Sequence, residues 1–419
     1  MDTTFNGTGY LTINGSAGGS GNDQIYDMAT DSQNRIVAVG SSVNASGNLD
    51  MTVWRLNEDG TTDTSFATAG VFSHDSAAGG SNADVGYGVV ISSDDQIYVT
   101  GTSVNGSSDF DMVLWRLNSD GTLDTNFNGT GFVVDDSAAG GGVHDQGNDV
   151  TLDGFGKIVV VGFSDQSATN RDLAVWRYNP NGSLDSGFNS TGRFTHDGAA
   201  GGEDDSGNGV VIDSANNLFV TGRSDSGANL DDMTIWKISS SGALDTGFNS
   251  TGFLTHNGAA GGSDFDSGSD IVIADDGDLI VTGFSRNSDG NNDMVLWRVT
   301  QTGTFDTTFA GTGFTSFDVA QIFSGNSNDT GEKILIDSEN RIVVAGSGSE
   351  NLCIWRYLQD GTLDIDFNTD GFFSHDAAAG GFAIDSGTSV IEDSLNRLYF
   401  GGFSENLSGN FDATFWRLQ

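Results

Sequence analysis

The sequence predicts an all-β fold, a seven-bladed β-propeller with four antiparallel strands per blade. Three observations predict it. Seven tryptophans, Trp54, Trp115, Trp176, Trp236, Trp297, Trp355 and Trp416, recur at spacings of 61, 61, 60, 61, 58 and 61 residues. Each unit carries four short segments rich in β-branched and aromatic residues, separated by turn residues. The ends also interlock. The chain opens with DTTFNGTGYLTING, which matches the close of a repeat (DTNFNGTGFVVDD, 124–136), and stops at Phe415-Trp416-Arg417-Leu418, a third segment.

The second unit shows the elements in order. GVVIS (88–92) is a first strand, SDDQ a tight turn, and IYVTG (97–101) a second strand. A polar stretch leads to MVLWRLN (112–118), the third strand. NSDGTLD then makes a hairpin turn, with Gly121 at a position suited to positive φ. Phe127 anchors the return, and GFVVDD (131–136) is the outer strand. Several strands are apolar on both faces, as expected for sheets packed between two others. The expected blades span 23–75, 84–136, 145–197, 205–257, 266–318, 329–376 and 385–419, within a single domain of 1–419. Residues 1–14 supply the outer strand of the last blade. The start inside a repeat suggests a domain cut from a longer chain.

Composition agrees. The 419 residues carry a formal net charge of −42, from 58 acidic and 16 basic residues. Asp outnumbers Glu by 51 to 7, and Gly, at 61, is roughly twice its usual share. Asp and Gly favour turns over helices. The charge would repel a phosphate backbone, which excludes nucleic acid. No apolar run is long enough for a membrane-spanning helix. One cysteine excludes a disulfide framework.

The phrases W-R-L/Y-N-x-D/N-G-x-L-D-x-x-F-N-x-T-G-F and K/R-I-V-V-x-G resemble the delta-60 repeat, a bacterial β-propeller repeat, over essentially the whole chain. The resemblance implies a large secreted or surface-exposed bacterial protein. It implies no activity and carries over no functional residues.

Candidate sites are weighed against structural roles. Arg55, Arg116, Arg177, Lys237, Arg298, Arg356 and Arg417 each follow a Trp, and Arg35, Lys157, Arg341 and Arg397 sit in the first turn. Seven-fold use of a position favours an architectural Arg–Asp pair, with the Asp of the G-x-L-D turn as partner, over an anion site. His74, His196, His256 and His375 fall on four outer strands, too far apart to share a zinc ion. Each is expected to titrate near pH 6.5, beside Asp75, Asp197 or Asp376 where one follows. Cys353 reads as a core thiol.

The long Gly/Ser/Asn/Asp-rich loops gather on one face, with about half of the acidic residues and only Arg171, Arg223 and Arg286 as basic ones. That face is the expected working surface. Six crossovers end at Asp84, Asp145, Asp205, Asp266, Asp329 and Asp385, and Asp23 aligns with them. Their functional reading is a cation site, with calcium as the ion. Their structural reading is acceptance of local backbone N–H bonds. A second set, Asp50, Asp111, Asp172, Asp232, Asp293 and Asp412, precedes Trp by four residues. The sixth unit is the most irregular. Asp329 and Trp355 lie 26 residues apart where other units have 31, and its crossover reads VAQIFSGNSND. Ile322 and Phe323 there, with Phe382 and Phe265 in flanking crossovers, are the expected partner-binding residues.

No catalytic motif is present: there is no G-x-S-x-G, H-E-x-x-H or P-loop. The expected function is a non-catalytic, extracellular or cell-surface interaction module. It is a monomeric propeller within a larger chain, binding a glycan or protein on its acidic loop face, with calcium ordering the loops. The alternatives are a structural spacer and a metal-assisted polysaccharide-cleaving enzyme.

Overall fold

In the computed structural model the chain is a seven-bladed β-propeller of seven four-stranded antiparallel sheets. The structure describes residues 1–202, 204–227, 230–321 and 328–418. Apart from a 3-10 turn at Val319–Gln321, every regular element among the described residues is a strand. In the second blade the strands are Gly79–Ile91, Ile97–Asn105, Phe110–Leu117 and Phe132–Asp135, in spatial order. The expected strands overlap these, with 97–101 wholly inside, while the expected outer strand, 131–136, is one residue longer at each end than the observed one. Four first strands begin at the first glycine of the crossover's Gly-Gly pair (Gly18, Gly79, Gly261, Gly380), five residues ahead of the expected aspartate.

Two compact units divide the chain. One holds Met1–Val160, Arg177–Leu184 and Asp376–Gln419; the other holds Val161–Trp176 and Asp185–His375. In the first unit, Tyr10–Ile13 pairs with the last strand, Phe411–Leu418, in the register Tyr10–Trp416 to Ile13–Ala413. The N-terminal strand therefore completes the seventh blade, as the matching phrases predict. Arg417 donates to Asp2 at 2.8 Å and lies 5.2 Å from the Phe5 ring centre.

Both units use the same stitching between blades. All seven Trp side chains are fully buried. Arg55, Lys237, Arg298 and Arg356 reach Asp63, Asp245, Asp306 and Asp364 at 2.8, 3.2, 3.2 and 2.7 Å. Arg116 pairs with Asp124 in the same way. The expected Arg–Asp pair is thus architectural. The guanidinium also reaches the hairpin turn of the next blade: Arg298 donates to the Gln359 carbonyl at 2.9 Å and Arg417 to that of Glu58 at 2.6 Å. Beside it runs a backbone bond. Asn6, Ala67, Asn128, Asn189, Asn249 and Ala310 donate their N–H groups to Asp59, Asp120, Asn181, Ser241, Thr302 and Asp360 at 2.8–2.9 Å.

First strands carry a bulge, as at Gly86/Gly88 and Gly268/Asp270. It pushes a carbonyl toward the second strand, which explains the glycine closing phrases such as IYVTG. A Cβ on Gly101 would stand 1.8 Å from the Val85 carbonyl oxygen; Gly40, Gly222, Gly283, Gly346 and Gly402 meet the same obstacle. A Cβ on nearby Gly106 would meet nothing within 4 Å. Gly101→Ala is therefore expected to cost about 3 kcal/mol or more by overpacking, and Gly106→Ala about 0.5 kcal/mol or less. Urea midpoints of the two variants check this; equal midpoints would contradict the bulge geometry.

Candidate functional site

The crossover aspartates are deeply buried: Asp84, Asp145, Asp205, Asp266, Asp329 and Asp385 are at most 2% exposed. Each receives backbone N–H groups from the start of its own crossover. Asp84 accepts from Ser76 and Ala77 at 2.8 and 3.2 Å, and Asp145 from Ser137 and Ala138 at 2.9 and 3.2 Å. Asp266 accepts from Gly258 at 3.0 Å, Asp329 from Val319 at 2.7 Å and Asp385 from Ala377 at 2.7 Å. Burial raises the carboxyls of Asp84, Asp266 and Asp385 above the usual range, against the pull of those hydrogen bonds.

Strand register brings further carboxylates to these junctions. The third and outer strands pair Met51 with His74, Leu173 with His196 and Met294 with Phe317. One residue further along each ladder, Asp50 therefore stands beside Asp75, Asp172 beside Asp197, and Asp293 beside Asp318. The next first strand opens with Asp84, Asp205 or Asp329. A three-aspartate junction results where the sequence alone shows residues scattered over more than thirty positions. After blade five, carboxylate oxygens of Asp293, Asp318 and Asp329 all lie within 4.8 Å of one another. Among the described residues this is the one group of three acidic, His or Cys side chains close enough to hold a metal.

The mutual effect of the acids is visible. Burial, then Asp197, Asp205 and Asp165, pushes Asp172 up to about 6. Asp111 and Asp293 also rise to about 6, mainly through burial, with Asp136 and Asp145 adding to the first and Asp318 to the second. Two junctions carry Asn in place of the middle acid, and its amide supplies a donor. Asn257 donates to Asp232 at 2.7 Å and Asn14 to Asp412 at 2.5 Å.

Of the predicted partner residues, Ile322 and Phe323 lie outside the described residues, as does the Phe382 side chain. Phe265 is half-buried, with the Arg286 guanidinium 5.4 Å from its ring centre. In the sixth blade the shortened connection is a two-residue hairpin at Ser349 and Glu350, both with positive φ. Buried Val319 packs there in one core cluster with Cys353, whose thiol burial pushes far up. A rim that the sequence reading did not single out belongs to blade seven. Leu407 and Ile384 are exposed, at 80% and 37%, and the Phe403 and Phe411 rings of the same blade lie 4.8 Å apart.

The histidines depart from expectation. Burial lowers His74, His196 and His256 below their ordinary value, although the neighbouring Asp75, Asp197 and Asp232 oppose it. Their rings pack against the next blade's Trp. His74 Nδ1 accepts the Trp115 indole N–H at 3.3 Å, and His256 Nδ1 that of Trp297 at 3.2 Å. A neutral acceptor cannot also be a surface imidazolium. Outer-strand position predicts exposure, but the adjoining blade covers these rings.

Residues 33–66, 92–127, 156–188, 274–309 and 338–367 match a family described as "Domain of unknown function (DUF5122) beta-propeller", and 198–231 match "Beta-propeller repeat". The chain is a β-propeller repeat protein. No curated protein matches it. Similar solved structures include a protein of unknown function from Dyadobacter fermentans, with 11% identity, 97% of each chain covered and a TM-score of 0.49. Trypanosoma rangeli sialidase shares 11% identity over 98% of this chain and 56% of its own, with a TM-score of 0.44. Drosophila plexin A, solved with semaphorin 1b, shares 8% over 98% and 86%, with a TM-score of 0.43. Such distant likeness decides nothing about activity.

The titrating groups set a pH dependence. Asp111, Asp172, Asp205 and Asp293, raised to about 6, bind protons in the folded chain before the unfolded one does. Their contribution to stability grows as pH falls from about 6 toward about 4. The three lowered histidines act oppositely and lose stability below about pH 6.5. Acids lowered by hydrogen bonds, such as Asp59 and Asp120 with Thr61 and Thr122, lose theirs below about pH 4. Raised acids outnumber lowered histidines, so in metal-free buffer Tm is expected to peak near about pH 5. Asp111→Asn should flatten the rise between about pH 7 and 5. Differential scanning calorimetry against pH checks both; a Tm falling steadily below pH 7 would contradict the assignment.

Proposed function

We propose that this β-propeller repeat protein is a non-catalytic interaction module that binds a glycan or protein partner on its long-loop face. The observation that carries the reading is the unequal commitment of charged groups on the two faces. On the tight-turn face, Arg35, Arg341 and Arg397 pair with Asp31, Asp337 and Asp393, and Arg55, Arg116, Arg298 and Arg417 serve the blade stitching. The long-loop face instead offers clustered carboxylates and, on blade seven, the exposed Leu407 and Ile384 together with the paired rings of Phe403 and Phe411. Apolar groups rimmed by polar loops suit recognition by stacking and burial.

The thiol and several imidazoles are engaged in packing or hydrogen bonds. Cys353 is buried, His74 and His256 accept indole N–H bonds, and His144 accepts the Phe110 backbone N–H at 3.2 Å. The delta-60 resemblance supports a location outside the cell, in a secreted or surface protein, as part of this reading.

A glycan array and a surface-protein pull-down with the full chain, repeated with Leu407→Asp and Phe411→Ala, test the reading. Binding that weakens at least tenfold in both variants is expected. No retained ligand, with cell adhesion equal to that of the variants, would favour the spacer reading. Turnover of a polysaccharide would replace the proposal with the enzyme.

A further inference from the structure

We propose that a cleft on the tight-turn face, between the second and third blades, binds a guanidinium cation. The cleft measures about 560 Å³, room for a small ligand or one long side chain. Gln96, Tyr98, Arg116 and Asp124 of blade two and Asp153 and Pro180 of blade three line it. It lies opposite the long loops, so the assignment goes beyond the partner-binding reading and is tested apart from it.

The molecule's own repeats show what such a place accommodates. In blades one and seven the first turn carries an Asp and, four residues on, an Arg. Arg35 Nε donates to Asp31 at 2.7 Å, and its Nη1 reaches Asp63 Oδ2 at 3.3 Å. That same oxygen also takes Arg55 Nε at 2.8 Å. Arg397 donates to Asp393 at 2.6 Å and to Glu58, in the hairpin turn of the next blade, at 2.7 Å. Blade two has Ser92 and Gln96 at the Asp and Arg positions. The surroundings are otherwise kept: Asp124 Oδ2 takes Arg116 Nε at 2.9 Å, and Tyr98 stands where blade seven has Tyr399. Asp124 Oδ2 thus takes one guanidinium where Asp63 Oδ2 takes two.

Charge and hydrogen-bonding capacity point to the same ligand. Asp94, Asp124 and Asp153 line the cleft against Arg116, whose guanidinium is already bonded to Asp124 and, at 2.5 Å, to the Pro180 carbonyl. Asp153 is 7% exposed, and its Oδ1 accepts the Phe155 and Lys157 N–H groups at 2.9 Å. Its Oδ2 and the Oε1 of Gln96 are buried without a hydrogen-bond partner. In blades one and seven the matching Oδ2 takes the Arg Nε. Buried acceptors call for N–H donors, and a guanidinium offers several in one plane. Phe155, between the lining residues Gly154 and Gly156, is 76% exposed and offers a ring for cation–π stacking. A free guanidinium compound and an arginine side chain of a protein partner share this chemistry.

Saturation-transfer NMR with the full chain tests the site. The probes are ethylguanidinium, its neutral counterpart ethylurea, and a capped peptide with one central arginine. Ethylguanidinium and the peptide should bind with Kd of about 1 mM or tighter, and ethylurea about tenfold more weakly or not at all. The double variant Ser92→Asp/Gln96→Arg installs the blade-seven pair and should lose about tenfold in affinity for both cations while folding normally by circular dichroism. Asp94→Asn and Phe155→Ala, on exposed side chains, should each weaken both, whatever the fate of the double variant. A peptide that binds at least about tenfold tighter than ethylguanidinium assigns the site to a protein's arginine, and equal affinities assign it to a free compound; both support it. No transfer to either cation, equal binding of ethylurea, or undiminished binding in folded variants would overturn it.

Discussion

A four-stranded sheet with apolar side chains on both faces cannot stand in water alone. It needs a neighbour on each side, and the rest of this molecule follows from that requirement. The third strand shows it most clearly: Leu49–Leu56 and Asn292–Val299 are buried along nearly their whole length, with no alternation of wet and dry faces. Trp115, Trp236, Trp297 and Trp355 each pack toward the preceding blade, where they meet His74, His196, His256 and Phe317. Arg then reaches forward to the next hairpin turn. Blades two and five are thus held from behind by an indole and from in front by a guanidinium.

This arrangement explains most of the unusual composition. The Asp of the G-x-L-D turn neutralises a buried Arg and also caps its own turn: Asp63, Asp124 and Asp306 each accept the N–H two residues on, at 3.0 Å. Asp59, Asp120 and Asp360 do the same one turn earlier. A carboxylate one methylene from the backbone makes these short loops; Glu is too long. Asp over Glu therefore marks turn chemistry repeated around the fold. The junction triads are different, because they gather acids from three strands or crossovers at one place.

Fold was legible in the sequence because it is written seven times. Trp spacing, strand composition and the matching ends each state the blade, and the Arg–Asp pair could be named from its recurrence. The junctions were harder to read. Asp172 and Asp205 were both visible as members of repeated sets, yet Asp197 entered only as a neighbour of His196. What joins them is cross-strand register, which the pairing of Leu173 with His196 sets and which spacing along the chain does not display. The histidines were misjudged for a related reason: an outer strand is exposed in one blade alone and covered once the next is in place.

The closing pair of strands has a mechanical consequence. Tyr10 begins its strand opposite Trp416, near the end of its own, so both chain ends leave from the same side of the ladder. Tension applied across the ends would load this ladder in peeling, one pair of bonds at a time, and a four-residue strand offers little resistance to peeling. What stands in front of it is the Asp2–Arg417 ion pair, with the Asp2 N–H bonded to the Arg417 carbonyl at 2.9 Å and Phe5 fully buried behind. The closing strand pair is thus backed by one salt bridge and one aromatic plug.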